Sequence, residues 1–157
     1  MGNDEVVLVD FNLSMFCVRV KIALAEKGVE FENREEDLEN TKNMQVHEVA
    51  KRMWTGKRGE HEEDKKELVE NLKQLEEALG DMPYFGGQTF GFVDIALIPF
   101  YKWFSIYEKI GNFKLNCPKL TSWANRCLVK QTVSKFVSDE KDVYDFVIRY
   151  RKTIGVD

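Results

Sequence analysis

The sequence predicts a mostly α protein: a truncated β-α-β piece over residues 1–43, then an all-α domain over residues 44–157. Three observations carry this. Val6–Gly28 reads as a strand, a turn and a helix. Val29, Phe31 and Asn33 then alternate with charged residues, as in a second strand. From Met44 onward apolar residues recur at helical spacing, and no convincing strand follows.

Val6–Phe11 is a short apolar run rich in β-branched residues, the pattern of a buried strand. Asn12-Leu13-Ser14 is turn chemistry. Ser14 is also a good N-cap, because its hydroxyl can accept from free backbone N–H groups of the first helical turn. From Met15 the period becomes helical, with Phe16, Val20, Ala23, Leu24 and Lys27 three or four apart, and Gly28 supplies the stop. A hydroxyl thus sits between a strand end and a helix N-terminus, where peptide dipoles favour negative charge. A strand over 29–33 would return parallel to the first across the helix. A doubly wound or thioredoxin-type sheet should continue with more strands. Instead the polar stretch ENTKN leads into helical spacing at Met44, Val46, Val49, Ala50, Met53 and Trp54.

Residues 55–60, TGKRGE, form a loop. His61–Leu79 is an amphipathic helix with Leu68, Leu72, Leu75 and Leu79 on one stripe, ended by Gly80. Residues 81–91 are turn-rich. Phe92–Gly111 is apolar on all sides, as for a helix at the centre of a bundle. Asp94 near its start reads as structural, a carboxylate accepting from free N–H groups. Pro99 should kink or end the first part. Pro118–Lys130 is a helix with Leu120, Trp123, Ala124 and Cys127 inward. A short helical piece follows around Thr132–Phe136, and Ser138 or Asp139 caps a last helix with Val143, Phe146, Val147 and Tyr150 on its apolar stripe.

The composition is that of a globular chain: 157 residues, 43% hydrophobic and 32% charged. No apolar run reaches the roughly eighteen residues that span a bilayer, so no membrane partner is expected. The first residues lack a signal-peptide pattern, which leads to the expectation of a cytoplasmic protein. A net charge of −4, with acids interleaved among the Lys and Arg residues, argues against nucleic acid as a partner. Cys17, Cys117 and Cys127 have no framework spacing, and His47 and His61 form no zinc pattern with them, so no metal is expected.

The run DEVVLVDFNLSMFCVRVKIALAEKGVEFENREEDL resembles the start of a plant tau-class glutathione transferase. PYFGGQTFGFVDIALIPFYKWFSIYEKIG and CPKLTSWANRC resemble the C-terminal domain of that class, in the family's order. The resemblance implies a thioredoxin-like glutathione-binding domain followed by an all-α glutathione-transferase C-terminal domain. It implies catalysis: glutathione as co-substrate, conjugated to small hydrophobic electrophiles, in detoxification and stress response. Ser14 stands at the family's catalytic serine, which donates to the sulfur of glutathione and favours the thiolate. Phe16 stands beside it, lining the site. Lys42 stands near the lysine that contacts the glutathione carboxylate, although here Thr41 separates it from Asn40. His47, Lys51, Trp54 and Trp103 match positions facing the electrophile; the family often has tyrosine for His47 and arginine for Lys51. For both tryptophans simple core packing is the alternative reading. Cys17, three after Ser14, lacks the partner cysteine that a redox role needs and reads as a small packed side chain.

This sequence departs from the family after EDL. The family continues with an I-P-V-L strand carrying a cis-proline, a further strand and an E-S helix start, which hold the glutathione backbone and γ-glutamyl end. Here the chain passes from about Asn43 straight into what resembles the middle of the first C-terminal-domain helix. Conjugation should therefore be weakened. Two other functions stay open: a non-catalytic carrier of hydrophobic ligands, and an oligomeric interaction module. An exposed sheet edge leads to the expectation of a homodimer or higher homo-oligomer.

Overall fold

The computed structural model describes residues 6–11, 13–35 and 62–156. It opens with β1 (Val7–Asp10), α1 (Met15–Glu26) and β2 (Glu32–Glu35). Five helices follow: α2 (Glu62–Leu79), α3 (Phe92–Gly111), α4 (Pro118–Leu128), α5 (Gln131–Ser134) and α6 (Glu140–Thr153). Among the described residues the only sheet is the parallel β1–β2 pair, with Val7 opposite Glu32 and Asp10 opposite Glu35. The mostly α architecture with a small parallel opening is the one expected. The proposed domain boundary at 43/44 lies outside the described residues. Among them no helix is long and apolar enough to cross a membrane.

α1 starts at Ser14 and stops at Gly28, whose φ of +66° suits a residue without a Cβ. The face that packs differs from the stripe Phe16–Val20–Ala23. Met15, Val18 and Ile22 are buried, whereas Phe16 and Val20 are 40% and 42% exposed. The helix is apolar nearly all round, so spacing alone yields two stripes, and the bundle takes the one that faces it. Val18 and Ile22 join a core of Leu72, Leu79, Ile98, Leu120, Trp123 and Cys127. Met15 joins a second cluster with Trp103, Ile106, Val143 and Val147. Each such buried side chain contributes about 1.5–3 kcal/mol, against the weak hold of a two-stranded sheet. The helical core, more than the sheet, positions α1.

Two polar links reinforce that placement. Asp10 at the end of β1 pairs with Lys21 of α1, their side chains 0% and 4% exposed. Glu26, near the end of α1, accepts from the Thr132 hydroxyl of α5 and faces Lys130 at 3.6 Å.

α2 ends at Gly80, again at positive φ. α3 runs continuously through the buried Pro99, which neither ends it nor splits it. Asp94, fully buried, holds the start of α3 against the rest of the bundle. Its Oδ2 accepts from the Gly91 N–H at 2.9 Å. Its Oδ1 accepts from the Phe85 N–H at 3.1 Å and the Trp123 indole N–H at 2.8 Å. The structural reading of Asp94 holds, but two of its three donors come from elsewhere in the chain.

α4 begins at Pro118, and the free N–H groups of its first turn are met from another helix: Glu76 of α2 accepts from Lys119 at 2.6 Å and Leu120 at 3.1 Å. Of the two candidate caps for α6, Asp139 serves, accepting from the Lys141 N–H at 2.9 Å.

Candidate active site

The site is assembled at the junction of β1 and α1. After Asp10 the chain turns, closed by a hydrogen bond from the Ser14 N–H to the Phe11 carbonyl at 2.8 Å. Ser14 keeps extended backbone angles, φ −73° and ψ 116°, which end the turn and start the helix. Its Oγ accepts from the Cys17 N–H at 3.4 Å, a long bond. A hydroxyl that accepts at the helix end still has its own proton to donate. The first turn of α1 carries no acidic residue, so the positive end of the helix is not neutralised by its own side chains. A group there meets both a donor and a favourable dipole if it is an anion.

Phe16 lies one position into the helix and is half-exposed. Its ring meets Phe100 of α3 edge-on, with centroids 5.8 Å apart. Sequence reasoning missed the third member of this group. The Arg19 guanidinium lies 5.0 Å from the Phe16 ring centroid and 4.9 Å from that of Phe100. Burial lowers its pKa from the ordinary value. Its Nε is buried without a hydrogen-bond partner among the described residues. The Phe16–Arg19 spacing of three is the signal that could have pointed to it, since such residues share a helix face.

Trp103 stands behind the serine turn. It is 4% exposed, and its ring lies 6.5 Å from Tyr107 at a tilt of 38°. With Leu13, Met15, Pro99 and Val143 it lines a cavity of about 10 Å³. That volume holds one water at most. Burial pushes the Tyr107 hydroxyl up to about 12. Lys42, His47, Lys51 and Trp54 lie outside the described residues. The structure thus brings Ser14 and Phe16 to one helix end and sets Trp103 in the packing beneath it.

The three cysteines are unbonded thiols. Burial pushes Cys127 up to about 12 and also raises Cys117. Cys17 contributes its backbone N–H to the serine cap. Among the described residues no group of His, Cys, Asp and Glu could hold a metal ion.

Residues 19–130 match the family model "Glutathione S-transferase, C-terminal domain", which spans more than half of the chain. The chain belongs to the glutathione S-transferase family. It sits among plant tau-class relatives. A probable glutathione S-transferase of Nicotiana tabacum is 34% identical over 221 aligned positions, covering 100% of both chains. Glutathione S-transferase U25 of Arabidopsis thaliana is 36% identical over 217, covering 98% of each. Among solved structures, rice GST1 in complex with glutathione matches with a TM-score of 0.82 and 30% identity, over 97% of this chain and 99% of that one. The tau-class transferase of mango shares the fold, with a TM-score of 0.74 and 18% identity, over 92% and 98% of the two chains. For this transferase the fold, the family and the kind of reaction agree.

Proposed function

We propose that this transferase joins the sulfur of glutathione to small hydrophobic electrophiles, with Ser14 donating to the sulfur. The observation that carries the reading is the Ser14 hydroxyl at the start of a helix whose first turn has no acid. A free thiol titrates near ~8.5, and a helix N-terminus with a donor lowers that value. The S–H bond breaks with its proton released to solvent. The thiolate then forms a carbon–sulfur bond as the leaving group departs with its electron pair. The rice relative crystallised with glutathione supports the choice of thiol.

The same reading gives Phe16 and Lys42 to glutathione, and His47, Lys51, Trp54 and Trp103 to the electrophile side. For Trp103 that role is support: it packs against Met15, next to the serine. The physiological setting is detoxification in the cytoplasm, by a homodimer. The tobacco alignment runs over 221 positions while this chain has 157 residues, so the relative carries residues where this chain has none. This supports the reading that part of the glutathione site is missing. Affinity falls first, because anchored contacts supply both binding and positioning.

Calorimetric titration of glutathione, run beside turnover of a chlorinated nitrobenzene, tests the proposal. Weak saturable binding with conjugation above the uncatalysed rate is expected. Turnover at the uncatalysed rate under saturating glutathione overturns it. The carrier reading places its pocket near Trp54 and Trp103: Trp54 lies outside the described residues, and the cavity beside Trp103, at about 10 Å³, is too small for an aromatic ligand.

A further inference from the structure

We infer that the buried Asp10–Lys21 pair sets the roll of α1 about its own axis, and through it the direction of the Ser14 hydroxyl. Asp10 and Lys21 are then positioning residues for the proposed reaction, and their effect on it rests on the Ser14 reading above.

Apolar packing alone leaves that roll open. Met15, Val18 and Ile22 form one apolar stripe of α1, and Phe16, Val20 and Ala23 form another. The first is buried, while Phe16 and Val20 stay exposed. Hydrophobic attraction is non-directional, so it favours either stripe. An ion pair chooses between them. Successive helical residues are about 100° apart, so a roll that buried Phe16 and Val20 instead would carry Lys21 about a third of a turn away from Asp10. Both side chains of the pair are cut off from water. Among the described residues, neither oxygen of Asp10 has a hydrogen bond that could replace the ion pair. The alternative roll would leave that carboxylate buried and uncompensated, which is strongly unfavourable.

Ser14 follows the same roll. Lys21 comes seven positions after Ser14, two turns on, so the two residues share a face of the helix. At short range Ser14 is fastened to the end of the strand by its N–H on the Phe11 carbonyl, at 2.8 Å. The ion pair fastens the same face two turns further along, and its strand end is Asp10, the residue before Phe11. Two fastenings on one face fix both where α1 starts and how it is rotated. The Ser14 hydroxyl, and the Cys17 N–H from which it accepts, are carried with them. A buried ion pair is weak evidence for stability, since apolar residues of similar size often replace one without loss. Its best-attested use is to specify one arrangement among several, here the roll that aims the hydroxyl.

The double variant Asp10→Leu with Lys21→Met, made in the full chain and checked for folding by urea denaturation, tests this. Amide hydrogen exchange at Ser14 and Cys17, referred to the amide of the buried Ile106, reads the roll without any substrate. Exchange at both amides should rise by about tenfold or more relative to Ile106. Conjugation of a chlorinated nitrobenzene should lose about tenfold or more in kcat, because a small misplacement at the reacting centre is costly. KM for glutathione should stay within about twofold, since the hydroxyl acts on the thiolate rather than on binding. Lys21→Arg, which keeps a cation for Asp10, should lose less kcat than Lys21→Met. If the double variant does not fold, the nearly isosteric Asp10→Asn takes its place with the same two readouts. A folded variant with wild-type exchange at Ser14 and Cys17, or with wild-type kcat, overturns the inference. Wild-type turnover at the uncatalysed rate overturns the proposed reaction instead, and exchange alone then decides the roll.

Discussion

The side-chain oxygen of Ser14 accepts from the backbone N–H of Cys17, so the hydroxyl proposed to donate to the thiolate also caps α1. The two roles separate by substitution. Ser14→Ala removes the cap and the donor, costing about 1 kcal/mol of stability together with conjugation. Ser14→Asp keeps a strong cap and so keeps stability within a few tenths of that of the wild type. Its carboxylate repels a thiolate, so conjugation falls as far as in Ser14→Ala. Chemical denaturation and conjugation assays on the two variants read this out.

The Asp10–Lys21 pair fastens the sheet to α1 in a site where neither side chain reaches water. Removing one partner strands the other charge. Asp10→Ala or Lys21→Met should each destabilise by about 3–5 kcal/mol. Replacing both, as Asp10→Leu with Lys21→Met, should recover most of that loss, since two apolar groups leave no charge buried. A double-mutant cycle by urea denaturation measures it.

Asp94 gathers the Gly91 and Phe85 N–H groups and the Trp123 indole. Asp94→Ala leaves three donors unmatched and should cost at least about 3 kcal/mol. Asp94→Asn keeps an acceptor for Phe85 and Trp123 but turns an NH₂ toward Gly91, so an intermediate loss of about 1–3 kcal/mol is expected. A shift in Trp123 fluorescence should accompany both.

Lys109 of α3 meets Glu140 of α6 at 2.7 Å. The hydrogen bond from Lys109 holds the Glu140 carboxyl below its ordinary value of 4.5, and Glu140 holds Lys109 above 10.5. The depressed carboxylate stabilises the fold above its unfolded value and loses that contribution as pH falls through the folded one. The raised ammonium does so below its unfolded value and loses it as pH rises through the folded one. The pair therefore acts between those limits. Both side chains are substantially exposed, so Glu140→Gln should cost about 0.2–1 kcal/mol at neutral pH and low salt. Well below the ordinary carboxylate value the variant and wild type should melt together.

Much of this was legible in the residues because the signals were local. The Ser14 turn, the Gly28 and Gly80 stops, the leucine stripe of α2 and the Pro118 start each depend on neighbours within a turn or two. What escaped depends on distance. Asp10 meets Lys21 eleven positions on; Glu76 meets Lys119 and Asp94 meets Trp123 from different helices. Periodicity cannot choose between faces of a helix as apolar as α1, so the packing stripe at Met15, Val18 and Ile22 was hidden behind Phe16 and Val20. At the site, turn chemistry marked Ser14 as a helix cap, while the resemblance assigned Ser14 and Phe16 to glutathione. It could not tell a wall from a floor at Trp103, because a buried ring and a half-exposed one have the same period. Arg19 was unmarked because its partners are two rings, one of them on α3.

The contact of Met15 with Trp103, Val143 and Val147 also sets an order of events during synthesis. Val18 and Ile22 of α1 find Leu72, Leu79, Ile98, Leu120 and Trp123 before α6 is made, but Met15, next to Ser14, completes its cluster only with Val143 and Val147 of α6. Until then the start of α1 lacks part of its apolar cover, the kind of surface that nascent chains must shield. A chain interrupted before Val143 would carry Ser14 and still lack the surface that holds it in place. Packing around the serine turn is therefore completed late, when α6 is in place.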